Sequence, residues 1–294
     1  VLIAPGTDSP RLAGDGRGLA ALTYHSGAAP VGASRAPGTR CRLVLLDVAR
    51  GSVEGTYAPC GPRETITCLA LGSGPAGPVA YLGIWRQGPA GGPGPVPGAG
   101  RVLALDLSSG RVEAEAPLAG VPVHLVLAPV PGGWGNFAAP GAPGAPGAPG
   151  APGSAEDRVY CVEGSYSGGA SDLINLLEIA DRWLLRGFDP LALAPAGDLT
   201  LPTPAGRVAF APGGQEAYAL AAAGAKLLRL DLASGSVSSL SGVPRGAISL
   251  AVTRDRIYVP DAFGNEVWAL DRRTGRLLQR IPVGRGPTGI ALGP

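Results

Sequence analysis

Apolar and polar residues alternate along most of this 294-residue chain in short runs, and nearly every run stops at Gly, Pro or Asp. A period of two marks half-buried β-strands, and the stop residues mark tight turns between them. One pattern returns. An alternating run ends in Asp, Gly follows four residues later, and a second alternating run begins. It reads Leu43-Val44-Leu45-Leu46-Asp47 with Gly51, then Val102-Leu103-Ala104-Leu105-Asp106 with Gly110. Two further copies are Leu227-Leu228-Arg229-Leu230-Asp231 with Gly235 and Val267-Trp268-Ala269-Leu270-Asp271 with Gly275. A degenerate copy, Trp183 to Asp189, has its Gly197 late, after Pro190 and Pro195. The Asp carboxylate can accept N–H bonds from the residues that follow it, and Gly takes the positive φ that closes the turn, so each copy predicts a hairpin.

A second marker runs in step with the first. A short apolar strand bearing Tyr24, Tyr81, Tyr160, Tyr218 or Tyr258 precedes each hairpin. Ahead of that lies a third kind of strand: Leu2–Pro5, Thr67–Leu71, Leu125–Pro129, Val208–Pro212 and Ile248–Ala251. The unit is therefore four short strands in roughly 40 residues, repeated five times, which is the period of β-propeller blades. A β-sandwich would also show alternation and turns, but it would not return the same Tyr and Asp in phase. The expected fold is all-β, a propeller of four-stranded antiparallel blades forming a single domain over 1–294. Approximate blade bounds are 1–60, 61–120, 121–203, 204–243 and 244–283, with an extra inner-type strand at 286–293.

The last repeat is the most regular. Ile257-Tyr258-Val259-Pro260-Asp261 leads to Asn265-Glu266-Val267-Trp268-Ala269-Leu270-Asp271, then Thr274-Gly275-Arg276-Leu277-Leu278, Ile281-Pro282-Val283-Gly284 and Gly286-Pro287-Thr288-Gly289-Ile290-Ala291-Leu292. This stretch resembles the YVTN repeat of surface-layer-type β-propellers, with Pro260-Asp261 standing where the family has Thr-Asn. The match is specific over 255–294, looser over 204–245 and only skeletal before that. The resemblance implies a propeller and an exported or cell-surface setting. It carries no catalytic site, because the signature residues are turn and strand residues.

Five Tyr strands and five Asp hairpins stand against six inner-type strands, the first at Val1–Ala4 and the last at Pro287–Leu292. Three readings stay open: a fragment whose next blade continues past Pro294, ring closure by one terminal strand, or strand addition to a neighbouring molecule. Two Gly/Pro-rich insertions interrupt the pattern, at 88–100 and 137–156. The second holds five Ala-Pro-Gly triplets from Ala139 to Gly153, which predict an extended polyproline-type arm. That arm reads as a passive spacer or as a contact with a neighbouring subunit or the cell wall. Ser171 or Asp172 is placed to cap a short helix through Ala180, with an added strand as the alternative.

Composition narrows the function classes. The chain carries 48 Gly and 31 Pro, yet 45% of residues are hydrophobic, so a core can form. A net charge of +2 argues against nucleic acid or a polybasic membrane role. No apolar run nears the roughly 20 residues needed to cross a bilayer. Of the 24 basic residues only Lys226 is lysine. Met is absent, and Asn and Gln are scarce. This fits a thermally stressed protein, although codon bias gives Arg over Lys equally well. A chain that opens on Val1 and lacks Met reads as processed or partial; a removed signal peptide would leave no trace in it.

The chemistry-bearing residues are few. Cys41, Cys60, Cys68 and Cys161 show no C-x-x-C spacing, which argues against zinc or a redox motif. The turn at Asp47–Gly51 sets Cys41 and Cys60 near register, predicting a disulfide between them and an oxidising compartment. Cys68 and Cys161, in inner strands of consecutive blades, are expected as buried thiols. His25 and His124 sit in separate blades without a clustered partner. Gly72-Ser73-Gly74-Pro75-Ala76-Gly77 matches G-x-G-x-x-G but precedes a strand, so it reads as a turn rather than a dinucleotide loop. Gly164-Ser165-Tyr166-Ser167-Gly168 puts Tyr where a nucleophile elbow needs Ser. Asp261, Asn265 and Glu266 offer oxygens in one loop, too few for calcium, and predict a hydrogen-bonded turn.

The resulting expectation is a secreted or cell-surface propeller without cofactor or catalytic residues. It would act as a structural or protein-interaction module, with protein partners or self-assembly, for which strand addition is one route. The insertions are its candidate contact surfaces. Competing readings are a propeller-scaffold enzyme or quinoprotein-associated subunit with polar groups at the central channel, and a glycan-binding module using Trp85, Trp134 or Trp183 as a platform. Trp268 is expected between blades.

Overall fold

In the computed structural model the residues described are 11–14, 19–26, 40–47, 49–86, 100–129, 157–165, 182–221, 226–290 and 292. They form five four-stranded antiparallel sheets, each with its strands in simple sequence order. Sheet one holds β1 (Arg11–Gly14), β2 (Leu19–Ser26), β3 (Arg40–Asp47) and β4 (Ser52–Tyr57). Sheet two holds β5 (Glu64–Gly74), β6 (Gly77–Arg86), β7 (Gly100–Asp106) and β8 (Val112–Leu118). Sheet three holds β9 (Val121–Pro129), β10 (Asp157–Ser165), β11 (Arg182–Phe188) and β12 (Pro195–Leu201). Sheet four holds β13 (Ala205–Phe210), β14 (Glu216–Ala221), β15 (Lys226–Asp231) and β16 (Ser236–Gly242). Sheet five holds β17 (Ala251–Val252), β18 (Arg256–Asp261), β19 (Glu266–Asp271) and β20 (Leu277–Pro282). The first strands touch in succession, β1 with β5, β5 with β9, β9 with β13 and β13 with β17, as blades about an axis do.

The Asp turns take the form the sequence predicts. Gly51, Gly110, Gly235 and Gly275 sit at φ 67, 70, 71 and 69°. The Asp47, Asp106 and Asp271 carbonyls accept N–H bonds from the glycine four residues on. The Asp side chains accept bonds from the intervening N–H groups: Asp106 Oδ1 from Ser108 at 2.7 Å, Asp231 Oδ1 from Ala233 at 3.0 Å, Asp271 Oδ1 from Thr274 at 2.8 Å. The Ser108 N–H holds the Asp106 carboxyl below its ordinary range, and the Ser234 N–H, 3.0 Å from Asp231 Oδ1, does the same for Asp231. Asp271 is lowered likewise, first by the Thr274 hydroxyl. The degenerate turn corrects the expectation. Its closing residue is Leu193, not Gly197: Leu193 donates to the Asp189 carbonyl at 3.0 Å and takes φ 50°. The strained backbone is offset by burial, since Leu193 is 2% exposed between sheets two and three. Gly197 instead sits opposite Gly187 beside a register shift in β12.

Register explains the Tyr marker. Tyr81, Tyr160, Tyr218 and Tyr258 pair with Ala104, Gly187, Arg229 and Ala269, each two residues before the turn Asp. In sheet one that place belongs to Ala21, opposite Leu45, and Tyr24 lies three residues further on, opposite Arg42. Tyr24 is therefore out of phase. The inner strand of sheet one is Arg11–Gly14; Leu2–Pro5 lies outside the described residues. A hairpin from Gly14 to Leu19 closes a shorter loop than one from Pro5 would. At the other end, β17 is shorter than expected, and Pro287–Ile290 form no strand. In every other blade a second strand pairs with the inner one, and no such strand follows this segment among the described residues. The Ala139–Gly153 tract, the 88–99 insertion and the Ser171–Ala180 element lie outside them too.

Four apolar clusters occupy the four gaps between consecutive sheets. Cys41, Leu43 and Leu45 of sheet one meet Leu82, Ile84 and Leu103 of sheet two. Tyr81 of sheet two meets Val159, Phe188 and Leu193 of sheet three. Tyr160 and Leu185 meet Val208 and Leu228, and Tyr218 and Leu227 meet Ile257 and Leu270. Each fully buried Leu or Ile contributes about 1.5–3 kcal/mol, so packing holds the sheets together. Hydrogen bonds fix how they sit. Tyr57 Oη donates to the Leu107 carbonyl at 2.5 Å, Tyr81 to Pro190 at 3.1 Å and Tyr218 to Arg272 at 3.3 Å. Each acceptor is the residue after the next sheet's turn Asp. In sheet one, Tyr57 on the outer strand makes the bond that sheets two and four assign to the in-phase Tyr.

Candidate functional site

The inner strands frame a cavity of about 660 Å³ between β9, β13, β17 and the C-terminal segment. Its wall carries His124, Arg207 and Ser249 among apolar residues including Phe210, Leu250 and Ile290. His124 Nε2 lies 3.0 Å from the Val208 carbonyl oxygen, which can only accept. Nε2 therefore bears the proton, and Nδ1 receives Arg207 Nη1 at 3.2 Å. The imidazole is held neutral and the guanidinium is held in place. β9 and β13 put these two side chains together across the gap between sheets three and four. The sequence places His124 in a strand without a partner; its partner comes from 83 residues away. His25 lies in β2 opposite Cys41, in another sheet.

Buried carboxylates gripped by arginine form a second group. Glu64, with 2% side-chain exposure, meets Arg86 at 2.8 Å and Arg101 at 2.7 Å and accepts the Gly61 N–H at 2.7 Å. Desolvation pushes its pKa up, but the Gly61 N–H and the two arginines outweigh it and hold the carboxyl low. Arg101 also reaches Glu115 at 3.0 Å. Glu163, 1% exposed, is the opposite case: desolvation raises its pKa despite Arg186 at 3.5 Å and the Gly120 N–H. Arg186 turns its fork to Asp198, at 3.0 and 3.1 Å. Desolvation opposes Glu216 as well, yet its bonds from Arg229 and Tyr218 keep it low. These carboxylates face arginines within their own sheets and across to the next turn, and none lines the cavity. Sequence reading missed them, although a lone Glu163 directly after the apolar run Val159-Tyr160-Cys161-Val162 was a visible signal.

The remaining candidates resolve into structure. Cys41, Cys60, Cys68 and Cys161 are thiols with no disulfide between any two of them. The Cys41 and Cys60 thiols are hydrogen-bonded neighbours, which with burial pushes the Cys60 pKa up. Cys68 and Cys161 are buried together between sheets two and three. Gly72–Gly77 spans the β5–β6 hairpin, with Gly74 opposite Gly77. Gly164 and Ser165 end β10, and the rest of that motif lies outside the described residues. Asp261 Oδ1 accepts from Phe263 N at 3.1 Å and Asn265 Oδ1 from Gly286 N at 2.9 Å, while Glu266 takes Trp268 Nε1 at 2.7 Å. That loop is a hydrogen-bonded turn. Trp85 and Trp183 are 4% and 2% exposed, so neither offers a flat face to a sugar, and Trp134 lies outside the described residues. Trp268 packs partly between sheets four and five beneath the Arg280 guanidinium. Among the described residues no group of three or more His, Cys, Asp or Glu is placed to hold a metal. No helix among them is long and apolar enough to cross a membrane.

No protein-family model and no curated protein matches the chain. Solved structures do. A chain of hydrazine synthase from Kuenenia stuttgartiensis superposes with a TM-score of 0.57 at 10% identity, covering 99% of this chain and 90% of that one. At that identity the likeness speaks for the fold, and with the five phased sheets it makes this chain an all-β protein of the propeller kind.

Proposed function

We propose that the chain is a non-catalytic propeller of the cell exterior or surface, serving as a structural module that associates with further copies of itself. The observation that carries this is the unequal treatment of equivalent residues. Tyr81, Tyr160 and Tyr218 are at most 1% exposed because the next sheet covers them, whereas Tyr258, in the same register place, is half-buried. Around it on the same face Val267 and Ile281 oppose each other, also half-buried. At the other end of the row Val44 and Leu46 are half-buried and Val53 is 62% exposed. No substantial packing joins sheet five to sheet one among the described residues. Sheet five thus offers the kind of face each earlier sheet gives its successor, and sheet one the kind each later sheet gives its predecessor. A second copy meets both requirements, in a head-to-tail contact. Ile290 and Leu292, in the segment that strand addition would use, line the chain's own cavity, so face packing is favoured over added strands. The resemblance of 255–294 to YVTN repeats supports the exported setting.

Sedimentation velocity across a range of protein concentrations tests this. The wild type is expected to associate as concentration rises. Tyr258→Asp and Val267→Glu, both at half-buried places, are expected to stay monomeric with unchanged circular dichroism. A wild type that remains monomeric at every concentration overturns the proposal.

A further inference from the structure

We propose that Cys41 and Cys60 are a site of oxidative modification: on meeting a disulfide oxidant they close an intrachain disulfide that fastens the link between sheets one and two to β3. This goes beyond self-association and does not depend on it. Cys41 lies in β3, fully buried, in the apolar cluster that joins sheet one to sheet two. Cys60 lies in the link from β4 to β5, half-buried, and packs against the same cluster. Strand pairing brings them there. Leu43 stands opposite Tyr57, and the same register carried two residues further sets Cys41 beside Pro59 and Cys60. The two thiols are in hydrogen-bond contact. A disulfide has a fixed geometry, and thiols that already touch meet it with little movement of the backbone.

The other two thiols give the contrast. Cys68 and Cys161 are 5% and 0% exposed, shut between sheets two and three. Exchange needs a sulfur that an oxidant can reach, and Cys60 alone of the four is not fully buried. The Cys60 thiolate attacks one sulfur of the oxidant, forming a mixed disulfide and expelling the other sulfur as a thiolate. Cys41 then gives up its proton and attacks the Cys60 sulfur, displacing the second half of the oxidant. Two protons and two electrons leave the chain, and the oxidant ends as two thiols. The bond, once made, resists reduction. The Cys41 thiol, burial and the Glu64 carboxylate all keep Cys60 from ionising, with Arg101 opposing them. A pair whose thiolates are not stabilised holds its disulfide firmly. Beyond Cys60 the link is already pinned, because the Gly61 N–H donates to Glu64 Oε2 at 2.7 Å. The disulfide pins the near side and closes a loop through β3, the Asp47 turn and β4, which removes freedom from the unfolded chain.

Glutathione disulfide is the probe, added to the reduced intact chain without denaturant. A mass loss of about 2 Da is expected, with two of the four thiols no longer open to alkylation after unfolding. Trypsin digestion without reductant is expected to show the peptide Gly51–Arg63 joined to Cys41-Arg42. The oxidised chain should melt about 5–10 °C above the reduced one, a gain that Cys60→Ser abolishes. Four thiols surviving an excess of oxidant, a linked peptide containing Cys68 or Cys161 instead, or an oxidised chain that melts no higher overturns the proposal. So does a link between two copies, seen as a dimer that reductant dissolves. Peptide mapping uses the wild type, so no variant has to fold. Self-association is followed with reductant present, so the two readings fail separately.

Discussion

Leu193 sets two large effects against each other, and replacing it with glycine shows which one dominates. Its φ of 50° is a left-handed backbone that costs an L-residue roughly 1–2 kcal/mol, and Leu193→Gly removes that cost. Glycine also loosens the unfolded chain, returning about 0.4–1 kcal/mol of the gain. Against this stands a side chain 2% exposed, wedged with Tyr81, Val159 and Phe188 between sheets two and three. Truncating a buried Leu to Ala alone costs about 2–5 kcal/mol. The balance is a destabilisation on the order of 2–4 kcal/mol. At about 2–4 °C per kcal/mol for large single domains, melting should drop by roughly 4–16 °C. Urea unfolding followed by circular dichroism measures it. Gly110→Ala is the control, because it occupies the same turn place with φ 70° and leaves room for a methyl, the nearest atoms being Tyr57 ring carbons at 3.5 Å. It should lose only the backbone share, about 1–2 kcal/mol. A Leu193→Gly protein as stable as wild type would refute the claim that burial holds this turn in its strained form.

Three other outcomes follow from the same contacts. Tyr81→Phe deletes the bond to the Pro190 carbonyl without opening a cavity, and should cost about 0.5–1.5 kcal/mol in chemical denaturation; no loss would mean the bond does not position the sheets. Glu163 carries a raised pKa, so it holds more protons folded than unfolded, and its contribution to stability declines as pH climbs from the ordinary Glu range through the raised one. Melting temperatures from pH 4.5 upward should show that decline in wild type and not in Glu163→Gln; identical profiles would reject it. Arg186→Lys keeps the charge but not the fork that holds Asp198 while facing Glu163, and should cost about 1–3 kcal/mol by denaturant titration, against near-neutrality if a point charge sufficed.

What the chain revealed about itself depended on distance along it. The Asp–Gly turns were legible because their bonds span four residues, and each partner is visible in a short window. The phased Tyr was legible as a marker but not as a contact. Tyr218 reaches a carbonyl 54 residues on, and only the register of two sheets shows that this carbonyl follows the next turn Asp. Tyr24 was misread for the same reason. It is a Tyr in an apolar strand, but its offset from Asp47 is wrong, and Tyr57 on β4 takes the part. The cavity was invisible because it is made from three inner strands, and its His124–Arg207 pair joins two of them.

Sheet geometry also adds a reason for the dominance of arginine over lysine that composition left between heat and codon bias. The ion pairs among the described residues that touch a buried carboxylate all use arginine, and two of those three arginines serve two acceptors at once. Arg101 spans Glu64 and Glu115, and Arg186 spans Glu163 and Asp198. An ammonium on a flexible stem concentrates its charge at one point and is strongly hydrated, so it bridges two fixed carboxylates between strands poorly. A planar fork does so while keeping its apolar stem against the sheet. In a fold of many short strands with few charged residues, each charge that is buried must satisfy more than one neighbour. That requirement selects the forked cation wherever a strand carries a carboxylate inward, independently of growth temperature and of base composition.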